Sequence, residues 1–503
     1  MSEVVAVEEV VEGPAWVASG LEESSGIYPL RVEPAVGRLV ERLLPGIITT
    51  TTGARYYSLH TLAWAEAHER GLAADRAEAF VRRCEVVMSA ASLAHGQSAD
   101  GHRRLVPAAH GEARIHRFLD AGVLDLERAA APGGYSTGGF AGTYAAPERV
   151  LGLLRGRTPP RPGPRAKLAP LRAGLAELPE LARQPTIAES EIAAAVHLCP
   201  CMAAEAPDGE WLRRAMFEQA DPDVEGDRNR QVAALMLLEA LSAAPHRDPE
   251  QAFRLAHGFG LPVEGEDVDA RARRGWRAAI LRNYSVSAWR HLWRWLSQEL
   301  AGEAMVASEL ADRLANALGD GRVRDLAHVL PERGDAHELL PAEEDLRAAD
   351  VPTPQRALRQ LALGAQRLAD LDPETREAFL GRDRDDLGPL WVEHQLREHG
   401  ESSLGDLARD LVETMLRRAR RVSLSKMSLS KDLRPYVPTR LRDRDGLLSM
   451  VGEETDDEVS LRAWTLAQVL CGLGAIERPN GAYAVTALGE QLRDRLAAGR
   501  SKA

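Results

Sequence analysis

The 503-residue sequence is dominated by Ala, Leu, Arg and Glu, has only 5% aromatic residues and carries a formal net charge of −12. That length suits two to four domains with ample core, and the acidic balance argues against a protein that coats nucleic acid along its whole surface. Four cysteines (Cys84, Cys199, Cys201 and Cys471) are too few for a disulfide scaffold, and no apolar run reaches the ~18 residues of a membrane span. The acidic start EVVAVEEVVEG is unlike a secretory signal, so a cytoplasmic setting without a membrane partner is expected.

Strand-like alternation is rare, which predicts a mainly α, multi-domain protein. Residues 1–30 read as an acidic, partly disordered lead-in. A first helical domain, 31–156, is expected to hold helices at 34–44, 54–70, 73–95, 110–120 and 146–155, with a glycine-rich loop from Pro132 to Pro147. The five prolines of Arg157–Pro170 read as a stiff, basic linker and a domain boundary. A central helical region, 171–421, follows. Its expected helices lie at 187–198, 210–219, 229–243, 249–258, 270–300, 304–318, 354–370, 386–399 and 403–421.

Residues 422–503 change character. A hairpin turning at Asp445-Gly446, a helix from Ser460 to Leu473, a second hairpin at Asn480-Gly481 and a closing helix at 487–498 predict a winged-helix-like α+β module.

Around Leu43–Gly71, Pro45-Gly46 ends one helix, and the β-branched run Ile47–Thr52 disfavours helix. Thr51 or Thr52 is then placed to cap a helix whose first turn holds Arg55, Tyr56 and Tyr57. Hydroxyls and a guanidinium at a helix N-terminus make Thr51, Thr52, Arg55 and Tyr56 anion-binding candidates. The plainer reading, a capped core helix with Arg55 paired to a carboxylate, is preferred.

Leu44-Pro45-Gly46, the threonines and Ala54-Arg55-Tyr56-Tyr57, together with Gly139–Tyr144 before Pro147 and Arg442–Gly446, resemble a group of uncharacterised helical bacterial proteins encoded near anti-phage defence and mobile-element loci. The resemblance covers about a fifth of the chain. It implies a genomic setting and a protein partner encoded nearby, and it implies no reaction.

No catalytic motif is complete. Gly134-Tyr135-Ser136-Thr137-Gly138 matches G-x-S-x-G but lacks the strand before and the helix directly after that a nucleophile elbow needs, and the loop lacks the Lys-Ser/Thr of a Walker sequence. Cys199-Pro200-Cys201 with His197 has no second cysteine pair, and His95, His102, His110 and His116 form no HExxH. No metal or cofactor is expected. The Arg382–Asp386 run reads as a salt-laced surface.

Nucleic-acid candidates fall in two places. Arg271–Leu296 is rich in arginine and tryptophan, suiting phosphate and base stacking through Arg271, Arg274, Trp289, Arg290, Trp293 and Arg294. The helical spacing of Trp289, Leu292, Trp293 and Leu296 favours a buried face instead. The zone from Arg417 to Arg444 with the adjoining Asp445 carries ten Lys or Arg against three Asp. It offers Arg417, Arg418, Arg420, Arg421, Lys426, Lys431, Arg434 and Arg440, with Arg462 and Gln468 as base readers on the following helix. The expected function is a non-enzymatic binding component that docks DNA or RNA backbone, or a partner protein, through its C-terminal third. A hydrolase or nuclease sited near ARYY and the glycine loop is the first alternative, and a structural adaptor the second.

Overall fold

The computed structural model describes residues 28–98, 108–219, 224–328, 330, 337–381, 387–429, 435–452, 454–455 and 458–498. The fold is mainly helical, as composition predicts. The helices that matter below are α1 (Ala54–Glu69), α2 (Ala74–Gln97), α3 (Ala141–Val150), α4 (Pro207–Arg213), α5 (Glu225–Ala243), α6 (Val268–Gly302), α7 (Ala307–Leu318), α8 (Leu404–Ser425), α9 (Ala463–Gly472) and α10 (Ala487–Ala498).

The chain divides into two units. One comprises residues 1–39, 258–263 and 274–459; the other comprises 40–257, 264–273 and 460–503. In the first, α6 from residue 274 onward buries Trp276, Trp289, Leu292, Trp293 and Leu296, a continuous apolar stripe at helical spacing. Beside it α7 packs along α8, and strand Met305–Val306 joins a three-stranded sheet with Leu447–Met450 and Leu441–Arg444. The hairpin turns where expected: Asp445 and Gly446 both take positive φ (52° and 82°), the mirror-image turn that matches strand twist.

In the second unit, α1 is buried on nearly every side: thirteen of its sixteen residues are buried, the polar Arg55, Ser58, His60 and Thr61 among them. The proline-rich segment 157–170 lies inside this unit. Gly163 and Arg165 donate backbone N–H groups to Leu153 and Gly152, and Arg165 forks onto Asp227, so the prolines fold back against the preceding strand and separate nothing. Two expected helices are shorter than periodicity implied, and a third, expected at 146–155, is shifted toward the N-terminus. Residues 110–120 break into a single turn, a 3-10 turn and strand Leu119–Asp120; Thr186–Ala188 is a strand that pairs with Val123–Asp125; and α3 starts at Ala141, with Pro147 inside it, and stops at Val150.

The order α9, hairpin, α10 also forms, with Asn480 and Gly481 at positive φ. It belongs to this second unit, whereas 422–459 belongs to the first. Tyr483 exchanges backbone hydrogen bonds with His246, and Glu490 accepts from Ser242, so the terminal segment is built into the core.

Candidate functional site

Position 55 shows how α1 is fixed. Gly53, not a threonine, caps the helix; Thr51 is buried with its hydroxyl bonded to Ile48, and Thr52 is half-buried. Arg55 is 1% exposed, and each of its five N–H groups has a partner. Nε and Nη2 fork onto Asp208 of α4 (3.2 and 3.0 Å), Nη2 also reaches the Gly174 carbonyl (2.9 Å), and Nη1 reaches the carbonyls of His197 (2.5 Å) and Cys199 (2.8 Å). The guanidinium is saturated. The plainer reading of Arg55 stands, and the anion-site expectation is corrected because these N–H groups already face the protein's own acceptors. Tyr56 is buried too, its hydroxyl accepting from the His110 backbone N–H (2.9 Å).

One turn further along α1, His60 lies fully buried between two carboxylates. Its Nδ1 is 2.7 Å from Glu148 of α3, and its Nε2 is 2.9 Å from Glu85 of α2. The glycine-rich loop closes on Glu85: Phe140 and Ala141 donate backbone N–H groups to it (3.0 and 2.8 Å), and the Tyr135 hydroxyl bonds its other oxygen. These donors solvate a carboxylate in place of water. Burial alone would lower the His60 pKa, but Glu148, and then Glu85, raise it to about 9. Burial raises Glu148, an effect that His60 only partly offsets, and one Glu148 oxygen has no hydrogen-bond partner among the described residues. His110, stacked on Phe140 at the half-buried margin, is lowered by burial against a small opposing pull from Glu85.

Ser136 is 9% exposed, and its oxygen accepts from Gly139 N–H (2.7 Å) to fold the loop. Gly139 sits at φ +80°, where an added Cβ would stand 2.8 Å from a Glu85 oxygen. Gly139→Ala is therefore expected to destabilise the protein by about 1–3 kcal/mol, read from the urea midpoint. An unchanged midpoint would mean the loop does not rest on Glu85.

The face of α2 that carries Glu85 continues through Ser89 and Ser92 to His95, all buried. Ser89 donates to the His110 carbonyl (2.8 Å), and Ser92 bonds Glu112. At the end of this row, His95 Nδ1 lies 3.2 Å from Cys201 Sγ, which lies 3.2 Å from Cys199 Sγ. The three ligand atoms are within 4.8 Å of one another. The hydrogen bond to Cys201, then burial, pushes the Cys199 thiol up. Of the remaining histidines considered, His197 contributes its backbone carbonyl to Arg55, His110 belongs with Glu85, His116 lies in the 3-10 turn, and His102 is outside the described residues.

The nucleic-acid candidates mostly look inward. Trp289 (1% exposed) donates its indole N–H to the Leu387 carbonyl and Trp293 is 4% exposed, so neither is placed to stack on a base; this corrects the secondary expectation. Arg290 is buried beside Glu33 and Thr455, Arg274 pairs with Glu374, Arg271 donates to the Glu266 carbonyl, and Arg294 is half-buried. In the basic zone, Arg418 is buried and donates to the Leu30 carbonyl, Arg417 pairs with Glu413, Arg420 with Asp443 and Arg440 with Glu454. Lys426 reaches the Tyr28 carbonyl, and Arg421 is exposed; Lys431 and Arg434 lie outside the described residues. Arg462 caps α9 from the left-handed region and donates to the Ile47 carbonyl. Gln468 is 5% exposed and bonded to the Tyr483 hydroxyl, so it is no base reader.

This region also exposes apolar side chains. Leu447 and Val306 are direct cross-strand partners, 47% and 42% exposed, and so share one side of the sheet. Leu424, one helical turn past the Arg420–Asp443 pair, and Met427 and Leu429 after it are also exposed. The described residues from 417 to 450 hold eight Lys or Arg against two Asp, with Glu413 and Glu454 pairing two of the eight from outside that range.

His60, Glu85, Glu148, Asp208 and the apposition of His95 with the cysteine pair escaped sequence reasoning, since each depends on partners 25 to 153 residues away. The available signal was a charged or imidazole side chain inside an otherwise apolar helical run, as in LHTLAWA and RRCEVVMSAAS. No protein-family model, curated protein or solved structure matches the chain.

Proposed function

We propose that the protein is a non-catalytic binding component that takes an acidic, leucine-bearing segment of a partner protein on the exposed apolar side chains Val306, Leu424, Met427, Leu429 and Leu447. The observation that carries this reading is the exposure of these five apolar side chains, four of them in a stretch where Lys and Arg outnumber Asp, in a protein whose net charge is −12. Exposed apolar area marks interaction sites, and surrounding charge of one sign selects a partner of the other. The inward pairing of the arginines and the burial of Trp289 and Trp293 favour a protein partner over nucleic acid. The resemblance to defence-locus proteins leads us to seek that partner among the products of neighbouring genes.

A labelled peptide of interspersed Glu and Leu, its Lys/Leu counterpart and a labelled DNA duplex provide the test. The acidic peptide should bind, more weakly as salt rises, and Leu424→Asp or Leu447→Asp should each weaken binding at least ~10-fold, the effect of losing a central anchor. Preferential duplex binding, unaffected by either substitution, would replace this reading with a nucleic-acid one.

A second reading, a hydrolase, is favoured by the convergence of Tyr56, His110 and the glycine loop at Glu85. Against it, His60 is held as an imidazolium near neutral pH and so is unavailable as a base. Ester or phosphodiester turnover abolished by His110→Ala in a folded protein would favour the enzyme.

A further inference from the structure

We propose that His95, Cys199 and Cys201 bind one zinc ion. Two thiolates and an imidazole are the donor set that zinc prefers, and hard cations such as Mg²⁺ and Ca²⁺ do not choose it. The donors come from two places in the chain, His95 lying 106 residues before Cys201, yet converge in the interior: Cys199, Cys201 and His95 are 1%, 4% and 6% exposed.

The separations are those of ligands around a small centre. At about 2.3 Å per Zn–S bond and 2.0–2.1 Å for Zn–N, two sulfurs on a tetrahedral zinc stand roughly 3.8 Å apart, and sulfur and nitrogen roughly 3.6 Å apart. Cys199 and Cys201 are 3.2 Å apart, as are Cys201 and His95 Nδ1, so a small outward movement of the side chains admits the ion. The sulfurs are too far apart for a disulfide, whose S–S distance is about 2.05 Å.

The site is also held in shape before any ion arrives. Pro200 stiffens the backbone between the two cysteines and begins a 3-10 turn, Pro200–Glu205. Arg55 grips the carbonyls of His197 and Cys199 while it forks onto Asp208, which fixes the approach of the first cysteine. His95 stands in the last turn of α2, with its carbonyl bonded by the N–H and hydroxyl of Ser98. A further oxygen, Ser92 Oγ, lies 3.8 Å from Cys199 Sγ and is bonded to Glu112. That polar side of the site suits a water as fourth ligand. On binding, both thiols release their protons to solvent, and the resulting thiolates form the Zn–S bonds. Arg55 is then a positioning residue for the metal as well as a core clamp.

The test uses the full-length chain, stripped with chelator under reducing conditions and titrated with Co²⁺ as a spectroscopic stand-in for zinc. One equivalent should produce an intense thiolate-to-cobalt charge-transfer absorption, which an equivalent of Zn²⁺ then abolishes. Cys199→Ser and Cys201→Ser should lose the absorption, His95→Gln should weaken binding at least ~10-fold, and Cys84→Ser and Cys471→Ser should leave both unchanged. Should the site variants fail to fold, X-ray absorption of the zinc-loaded wild type decides: a first shell of two sulfurs with nitrogen or oxygen is expected. An all-oxygen-and-nitrogen shell, absence of the charge-transfer band, or a native mass lower by two hydrogens, which marks a Cys199–Cys201 disulfide, would each overturn the proposal.

Discussion

Replacing Arg55 by alanine is expected to destabilise the second unit by about 3–5 kcal/mol, the range for removing one partner of a buried ion pair. The magnitude follows from what is left behind. Asp208 is fully buried and would keep a carboxylate with no cation, while the carbonyls of Gly174, His197 and Cys199 would lose the donor they share. Water has little room to replace a guanidinium that is 1% exposed. Lysine should rescue little, because a single ammonium with three donors cannot serve acceptors on three sides of a planar fork. The joint variant Arg55→Met with Asp208→Leu should be milder than Arg55→Ala, because no unpaired charge remains. Urea midpoints of the three variants measure this. An Arg55→Ala midpoint within error of wild type would show that the clamp contributes nothing to the fold, and with it the anchoring of the cysteine loop.

The contrast between the two ends of α1 shows what one-dimensional reading reaches. Pro45-Gly46, the threonine run and the onset of helix at Ala54 are local events, set by backbone propensity over a few residues, and they lie where expected. The role of Arg55 was half legible: a carboxylate partner was the preferred reading, but Asp208, 153 residues away, had no local mark. Along the chain His95 has His102, His110 and His116 as its neighbours, and Cys199-Pro200-Cys201 has no second cysteine pair beside it. The fold instead brings the last turn of α2 to the Cys-Pro-Cys turn.

At the C-terminus, charge counted along the chain suggested a surface meant for phosphate. In three dimensions Arg417, Arg420, Arg440 and Arg418 meet Glu413, Asp443, Glu454 and the Leu30 carbonyl, and Leu424, Met427, Leu429 and Leu447 are exposed beside them in sequence. A composition of this kind cannot distinguish arginines that serve a partner from those that tie a helix to its own sheet.

His60 gives the protein a stability that should fall as the solution becomes more alkaline. Its folded pKa, about 9, exceeds the ordinary histidine value of 6.5, because Glu148 and Glu85 outweigh the burial that alone would lower it. A group raised on folding contributes its stabilisation in full below its unfolded pKa and loses it as pH climbs through the folded one. The window is therefore 6.5 to 9, and the displacement corresponds to about 3 kcal/mol at 1.36 kcal/mol per pKa unit. Glu148 acts with the same sign in a more acidic window. Its pKa is raised by burial, so folding favours its protonated form and loses that contribution as the pH rises from the ordinary carboxylate range. His60→Gln preserves much of the side chain's size but carries no proton that titrates in this range. The difference in unfolding free energy between wild type and His60→Gln should thus be largest below pH 6.5 and narrow by about 3 kcal/mol above pH 9. Urea titrations at the two ends of the window read the narrowing directly. A constant difference would mean that the imidazole is neutral throughout. In that case the knot would be an ordinary hydrogen-bonded core, and the objection to a catalytic base at this position would disappear with it.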